Sequence, residues 1–561
     1  MEISNVSILD VYNGEIFDGR ICVNGGRIVS LSGCRSRRSL DGKGMMAVPA
    51  FFDSHMHVEA TMLVPWELAR ILIPHGTLEL MMDPHEVGNV AGMDGIRFLV
   101  SLFEGVPIHP LVQVPSRVPS APGLETAGHH LGPEEVAELL REPWAVSLGE
   151  LNYQNALSGK EEYLRKIETA LSMGKVVNGH APGLRPPELD AYAALGIGDD
   201  HESVEPWEVV EKLRRGIWIL VREGTTERNL EGLLRPLIGK MRDFRFFAFC
   251  TDDKHPNDIL TEGHIDYCVR RAIELGIDPV EAIRMATLNP ALHFRLDADL
   301  GSLAPHRLAD ILLLRDLERV EIDTVLFEGR VVFRNGGLIW SPRPKEIPEE
   351  YMRSVHVPEG LRPMDLLIGA KGEEALVRVI EIVPEQIVNR EVRRWLPIEG
   401  GFIRAQYPVN HLAVVERHGR GGGIGRGFVE GFSLESGAIA STVAHDHHNL
   451  VVVGASPEDM VAAVRILEQA GGGFVAVRDS KPLALVPLPF LGLMSTEPAE
   501  KVVEALEEAN EAAKKLGCPL RAPFMQLEFV TLPTVPDLGM TDLGLVDARS
   551  FTLVDPVLET K

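Results

Sequence analysis

The sequence predicts an α/β fold: a (β/α)8 barrel, a small β-sandwich built from both ends of the barrel segment, and a C-terminal α+β domain. Three observations carry this. Apolar strand-like runs alternate with amphipathic helix-like runs through the middle of the chain, β-rich pieces flank that block on both sides, and a proline-rich break precedes the last third. With 561 residues, 45% of them hydrophobic, the chain is long enough for several domains around a large buried core.

The first β-rich piece contains ISNVSILDVY, EIFDGRICV and RIVSLSG, separated by Asn-Gly and Gly-Gly turn signals. A similar register returns in ADILLLRDLERVEIDTVLFEGRVVF, so residues 1–48 and 296–340 are expected to share one sheet domain. Between them, 49–295 supplies eight strands: MMAVPAFF (45–52), TLELMMD (77–83), HPLVQV (109–114), AVSLGE (145–150), KVVNGH (175–180), LGIGDDH (195–201), GIWILVRE (216–223) and FRFFAFCTD (244–252). PWELARILIPHG, EEYLRKIETALSMG, EPWEVVEKLRRG and TERNLEGLLRPLIGKMR are among the helices expected between them. The run WSPRPKEIP (340–348) reads as a linker. Beyond it, 349–561 mixes helix-like EDMVAAVRILEQA and EPAEKVVEALEEANEAAKKLG with strand-like NHLAVVERH and NLVVVGAS.

Composition narrows the function. A net charge of −25 repels phosphate backbones, which excludes nucleic acid as the expected partner and suits a small neutral substrate. The N-terminal residues lack the basic and apolar regions of a signal peptide, and no window approaches the ~18 apolar residues of a membrane span. The five cysteines (Cys22, Cys34, Cys250, Cys268, Cys518) are odd in number and form no CxxC pair; they are expected as thiols of a cytoplasmic protein.

Barrel enzymes place their chemistry at the carboxyl ends of the strands. There the expected strands carry Asp53, His55 and His57; Asp83, His85 and Glu86; Glu150; His180; His201; and Asp252 with Asp253. His55 and His57 are two apart, so on a strand both imidazoles face the barrel mouth. A lone HxH is a weak signal, but with His180, His201 and Asp252 at matching ends it reads as a site for a borderline divalent metal. Glu150 is expected to bridge two cations, because the ligands outnumber the needs of one tetrahedral ion; an ion pair or loop acid is the bland alternative. Asp252 is expected to exchange protons with an activated water, and Asp253 to orient or cap. His85, Glu86 and Asp253 are candidate substrate contacts, with a turn at Asp83-Pro84 as the alternative. Lys254 and His255 read as an exposed loop pair. In AHDHHN, His445, Asp446, His447 and His448 either reach over the active site or form a polar turn, and GRGGGIGRG (419–427) lacks a phosphate-loop pattern and reads as a tight or mobile loop.

These residues resemble the amidohydrolase superfamily. The blocks DSHMHVEATML, PHGTLELMMDPHEVGNVAG, NGHAPGL, DDHES, CTDDKHPNDILTEGHID and, in the last domain, GAIASTVAHDHHNLVVVG are similar to those of bacterial and archaeal adenine deaminases over nearly the whole chain. The resemblance implies hydrolysis of adenine to hypoxanthine and ammonia by a metal-activated hydroxide attacking C6. It implies a Mn2+ or Fe2+ pair, with Zn2+ as an alternative, held by His55, His57, Glu150, His180, His201 and Asp252. Asp252 and Glu150 would move protons. A homodimer or larger assembly is left open. Two departures stand out: Arg117 in PSRVPSAPG, where the family tends to carry a smaller residue, often Cys, and His447 where Ser is more usual. Arg117 follows the third strand and is a suspect in substrate choice. The rival readings are another hydrolase of the superfamily, acting on other aminopurines or cyclic amides, and a catalytically dead scaffold. Many cyclic-amide hydrolases bridge their metals with a carboxylated lysine, whereas Glu150 ends the fourth strand here; a dead scaffold would be expected to lose ligands.

Overall fold

The computed structural model describes every residue except Glu385 and Pro536. Its centre is a curled parallel sheet in two arcs. One contains Phe51–Met56, Thr77–Met82, His109–Val114, Ala145–Asn152 and Val176–His180; the other contains Asp199–Asp200, Trp218–Arg222 and Phe247–Cys250. Backbone hydrogen bonds join the arcs at both seams: Gly198 N donates to Val177 O (2.8 Å), Asp252 N to His55 O (3.0 Å) and His57 N to Asp252 O (3.2 Å). These strands are buried on both faces, which is why they read as continuous apolar runs rather than alternating ones.

All eight expected strands are present, with two local differences. The first barrel strand is Phe51–Met56, not 45–52; Met45 to Pro49 belong to Ser39–Pro49, which pairs with Ile311–Asp316 in the flanking sheet. The expected helix over 226–242 shrinks to Leu230–Leu234, because Pro236 offers no N–H to continue it. A helical segment over His85–Leu102, broken by a kink at Gly92, follows the second strand and brings His85 and Glu86 to the barrel mouth.

The chain's start and the stretch after the barrel form one eight-stranded sheet, in which Glu2–Leu9, Ile16–Asn24, Arg27–Ser30 and Ser39–Pro49 join Ile311–Asp316 and the strands that follow it. Here the expectation of five thiols fails. Ile16–Asn24 pairs with Arg27–Ser30, and the chain then turns back, bringing the Cα of Cys34 to 6.0 Å from that of Cys22 in a disulfide. Cys250, Cys268 and Cys518 are buried thiols. No helix among the described residues is long and apolar enough to cross a membrane.

The C-terminal region forms a ten-stranded sheet packed with the helices Pro457–Ala470 and Ala499–Lys515. The glycine-rich run is not a loop throughout: Ile424–Glu430 is a strand, and a Cβ on Gly425 would lie 1.8 Å from the Thr541 carbonyl oxygen. Those glycines allow backbone to pack on backbone.

Candidate metal centre

The strand ends converge on a buried cage of imidazoles and carboxylates. The rings of His55 and His57 meet edge to face at 4.9 Å, and His55 stacks on His201 at 4.0 Å. Glu150 Oε2 lies 2.7 Å from His180 Nδ1 and 3.3 Å from His201 Nε2, while Asp252 Oδ1 lies 3.2 Å from His57 Nε2 and 3.6 Å from His55 Nε2. The six residues expected as ligands therefore share one cage.

Neighbouring groups fix the ring tautomers. Gln113 donates through its amide nitrogen to Ser54 O (3.1 Å), so its Oε1 accepts from His55 Nδ1 (2.6 Å). His57 Nδ1 donates to the Asp83 carbonyl (3.0 Å). Both rings thus turn Nε2 into the cage, the arrangement in which a metal ligand's other nitrogen is held by a hydrogen-bond partner. His55 Nε2, His180 Nε2 and His201 Nδ1 are buried without hydrogen-bond partners. The donor set fits divalent cations: imidazole nitrogens with free lone pairs, plus carboxylates on opposite sides.

The backbone is shaped around this cage. The Glu150 N–H donates to Asp83 Oδ2 (2.9 Å), and a Cβ on the preceding Gly149 would sit 2.2 Å from that oxygen. Asp252 adopts a left-handed φ of 59°, uncommon for a non-glycine residue, and its own N–H and C=O are held by His55 and His57. Asp53, on the same strand as His55, accepts from Thr251 N (3.0 Å) and ties the first and eighth strands together.

Burial disfavours charge in every carboxylate of the cage, yet Arg117 and His180 hold Glu150 well below its ordinary range, and the neighbouring His55, His57, His201 and Arg222 do the same for Asp252. Burial likewise opposes charge on the rings, but Asp252 holds His57, and Glu150 with Glu202 holds His201, well above the usual imidazole value. Such an acid-rich cage draws positive charge into itself, which a bound cation would satisfy.

Two participants, Glu202 and Arg222, lie outside the sequence expectation. Glu202, next to His201, approaches His201 Nε2 (3.4 Å) and His180 Nδ1 (3.5 Å). Arg222 ends the seventh strand and donates to both Glu202 (2.6 Å) and Asp252 (2.8 Å). Arg117 is 3% exposed; it reaches Glu150 and also donates to Asp446 Oδ2 (2.6 Å). The suspect for substrate choice therefore sits on the central carboxylate.

The AHDHHN segment reaches this region from the C-terminal domain rather than forming a surface turn. Asp446 lies 3.3 Å from His85 Nε2, and His445 stacks on Phe529 at 5.6 Å. His447 turns away, with Nε2 3.3 Å from the Met540 carbonyl, and takes no part in the cage. Lys254 and His255 are buried, contrary to the exposed pair expected; Lys254 Nζ meets Glu262 at 3.0 Å.

The cavity above the cage is lined by His57, His85, Arg117, Asp253 and, from the C-terminal domain, His445, Ile387, Phe529 and Leu532. Burial, then Asp252, pushes the Asp253 carboxyl up to about 7. Glu86 is buried and does not line this cavity. The cavity measures about 20 Å³, room for about a single water, so a larger ligand enters by displacing lining side chains.

Comparison with known proteins agrees with this arrangement. Residues 46–332 match the model of the amidohydrolase family, and residues 386–552 match the adenine deaminase C-terminal domain. A Desulforamulus reducens protein named adenine deaminase is 45% identical, covering 100% of this chain and 96% of that one. Proteins of the same name from Dehalococcoides mccartyi (42% identical; 98% of this chain, 95% of that one) and Moorella thermoacetica (40%; 98% and 94%) align equally fully.

Proposed function

Because the chain belongs to the adenine deaminase family of amidohydrolases, we propose that it hydrolyses adenine to hypoxanthine and ammonia. The observation that carries the reading is the cage itself: imidazoles with tautomers fixed to present free nitrogens, beside two buried carboxylates and under an apolar wall. We assign His55, His57, Glu150, His180, His201 and Asp252 as ligands of a divalent pair, Mn2+ or Fe2+, with Zn2+ also accommodated. Bound there, the pair supplies Lewis acidity and lowers the pKa of a water from ~15.7 toward ~7.

The protein's own groups do the rest. Asp252 takes the proton of the attacking water and passes it to the C6 amino group, which leaves as ammonia while C6 gains the oxygen. Glu150 relays the other proton of that water to N1, so both water protons are accounted for, one on the departing ammonia and one on the ring. The purine ring lies against Ile387, Phe529 and Leu532, where its faces find apolar and aromatic partners. Asp253 lines the same space and is the polar contact assigned to the ring edge. Arg117 must swing aside for the ring to enter, which makes it the residue through which substrate choice is set. We divide the chain into 1–48 with 296–340, 49–295 and 349–561.

Protein stripped of metal and reloaded with Mn2+ should release ammonia and hypoxanthine from adenine. His55→Ala should lower that rate by at least ~10³-fold, the scale of losing a Lewis-acid site. Adenine left intact by a metal-loaded wild-type protein would refute the substrate while leaving the cage assignment standing.

A further inference from the structure

A second nest of ligand-type side chains lies beside the cage, where the C-terminal domain meets the barrel. His85 and Glu86 begin the helix His85–Leu102, and His445 and His448 follow the strand Ala438–Ser441. One ligand atom from each of the four lies within 4.8 Å of all the others, and all four residues are buried.

Several polar atoms in this nest are unsatisfied. Both Glu86 oxygens and His448 Nε2 are buried without a hydrogen-bond partner, whereas His85 Nε2 is shared with Asp446 at 3.3 Å. Glu86 Oε1 is 3.5 Å from His445 Nδ1, and Oε2 is 3.8 Å from His448 Nε2. Those separations are too long for good hydrogen bonds. They are close to the ~3.4 Å edge of a tetrahedron whose ligands stand ~2.1 Å from a central zinc.

Charge points the same way. Among the described residues, the only ion-pair partners of Glu86 are these two histidines, with no lysine or arginine. His445 Nε2 is shared with two more acids, Glu528 at 3.5 Å and Asp253 at 3.9 Å. A buried carboxylate without a cationic partner costs several kcal/mol. A divalent cation removes that cost and satisfies the orphaned His448 nitrogen together.

We propose that Glu86, His445 and His448, with His85, hold a further divalent cation, separate from the catalytic pair, that pins the C-terminal domain over the barrel mouth. Three imidazoles and one carboxylate make it a borderline metal site, Zn2+ foremost.

The test uses the full-length protein, stripped with a chelator, equilibrated with Zn2+ alone and gel-filtered. Metal analysis should find three zinc ions per wild-type chain, and an anomalous difference map at the zinc edge should show a peak among the four side chains. Glu86→Gln and His448→Gln should each lose one zinc and that peak while keeping the cage ions. His55→Ala should lose cage zinc and keep this peak, so failure of the cage assignment and failure of this one read differently. A wild-type chain holding two zinc ions or fewer, or a map without density among the four side chains, would overturn the proposal, and both measurements are made on wild-type protein, so neither depends on a variant folding.

Discussion

The barrel cage and the cluster at the domain interface are built from the same residue types, yet their charges are balanced differently. In the cage, arginines meet the carboxylates: Arg222 bonds Glu202 and Asp252, and Arg117 reaches Glu150. At the interface Glu86 has imidazoles around it and, among the described residues, no arginine partner. The cage therefore has an internal scaffold that holds its carboxylates in place before any metal arrives. The interface cluster has none and depends on what it binds.

The contrast is tested most severely at Arg222. Arg222→Met leaves Glu202 and Asp252 buried with part of their positive charge removed. Breaking a buried pair from one side costs about 3–5 kcal/mol. The urea midpoint of the chelated protein should fall accordingly, with metal affinity at the interface cluster unchanged in whatever protein remains folded. A midpoint within error of wild type would mean that the arginine scaffold contributes nothing.

A smaller effect is expected from Gln113→Leu, which keeps the volume near His55 and removes the oxygen that fixes its tautomer. Outer-shell partners of this kind are worth about 10–100-fold in metal affinity. Competition with a chromogenic chelator should show that loss for the cage ions alone. Equal weakening of the interface cluster would show that the two centres are coupled rather than separate.

The two regions also differ in how much of them the sequence discloses. His55, His57, Glu150, His180, His201 and Asp252 are each legible because a strand end is a position, and the barrel's symmetry brings strand ends together. Arg222 carries the same signal, a charged residue closing the apolar run GIWILV, and Glu202 sits beside an expected ligand; neither belongs to a metal-ligand pattern, so spacing alone does not single them out. Gln113 is an inward-facing polar residue in a buried strand, recognisable once burial is known. The interface cluster is different in kind. His85 and Glu86 are separated from His445 and His448 by some hundreds of residues, and only the docking of one domain on another makes them neighbours. The apolar wall of Ile387, Phe529 and Leu532 is hidden for the same reason. The Cys22–Cys34 bridge escapes the sequence on a shorter scale, since it depends on a turn after Ser30 that spacing alone does not reveal.

A further predicted effect, similar in size to that of Gln113→Leu, separates the two regions by its sign. Glu86→Gln keeps the shape of a buried side chain and removes a carboxyl group that has no lysine or arginine partner among the described residues. Without metal the substitution relieves a desolvation cost, so chelated Glu86→Gln should be more stable than chelated wild type by about 1–3 kcal/mol. With Zn2+ present the order reverses, because wild type gains a ligand that the amide supplies poorly. No such reversal is expected for Arg222→Met, whose loss leaves paired carboxylates exposed to one another whether or not metal is bound. Thermal melts of both variants, with and without Zn2+, give four differences from wild type. If Glu86→Gln destabilises the chelated protein as well, Glu86 is held by contacts within the protein, and the distinction between a self-balanced cage and a cation-dependent interface falls.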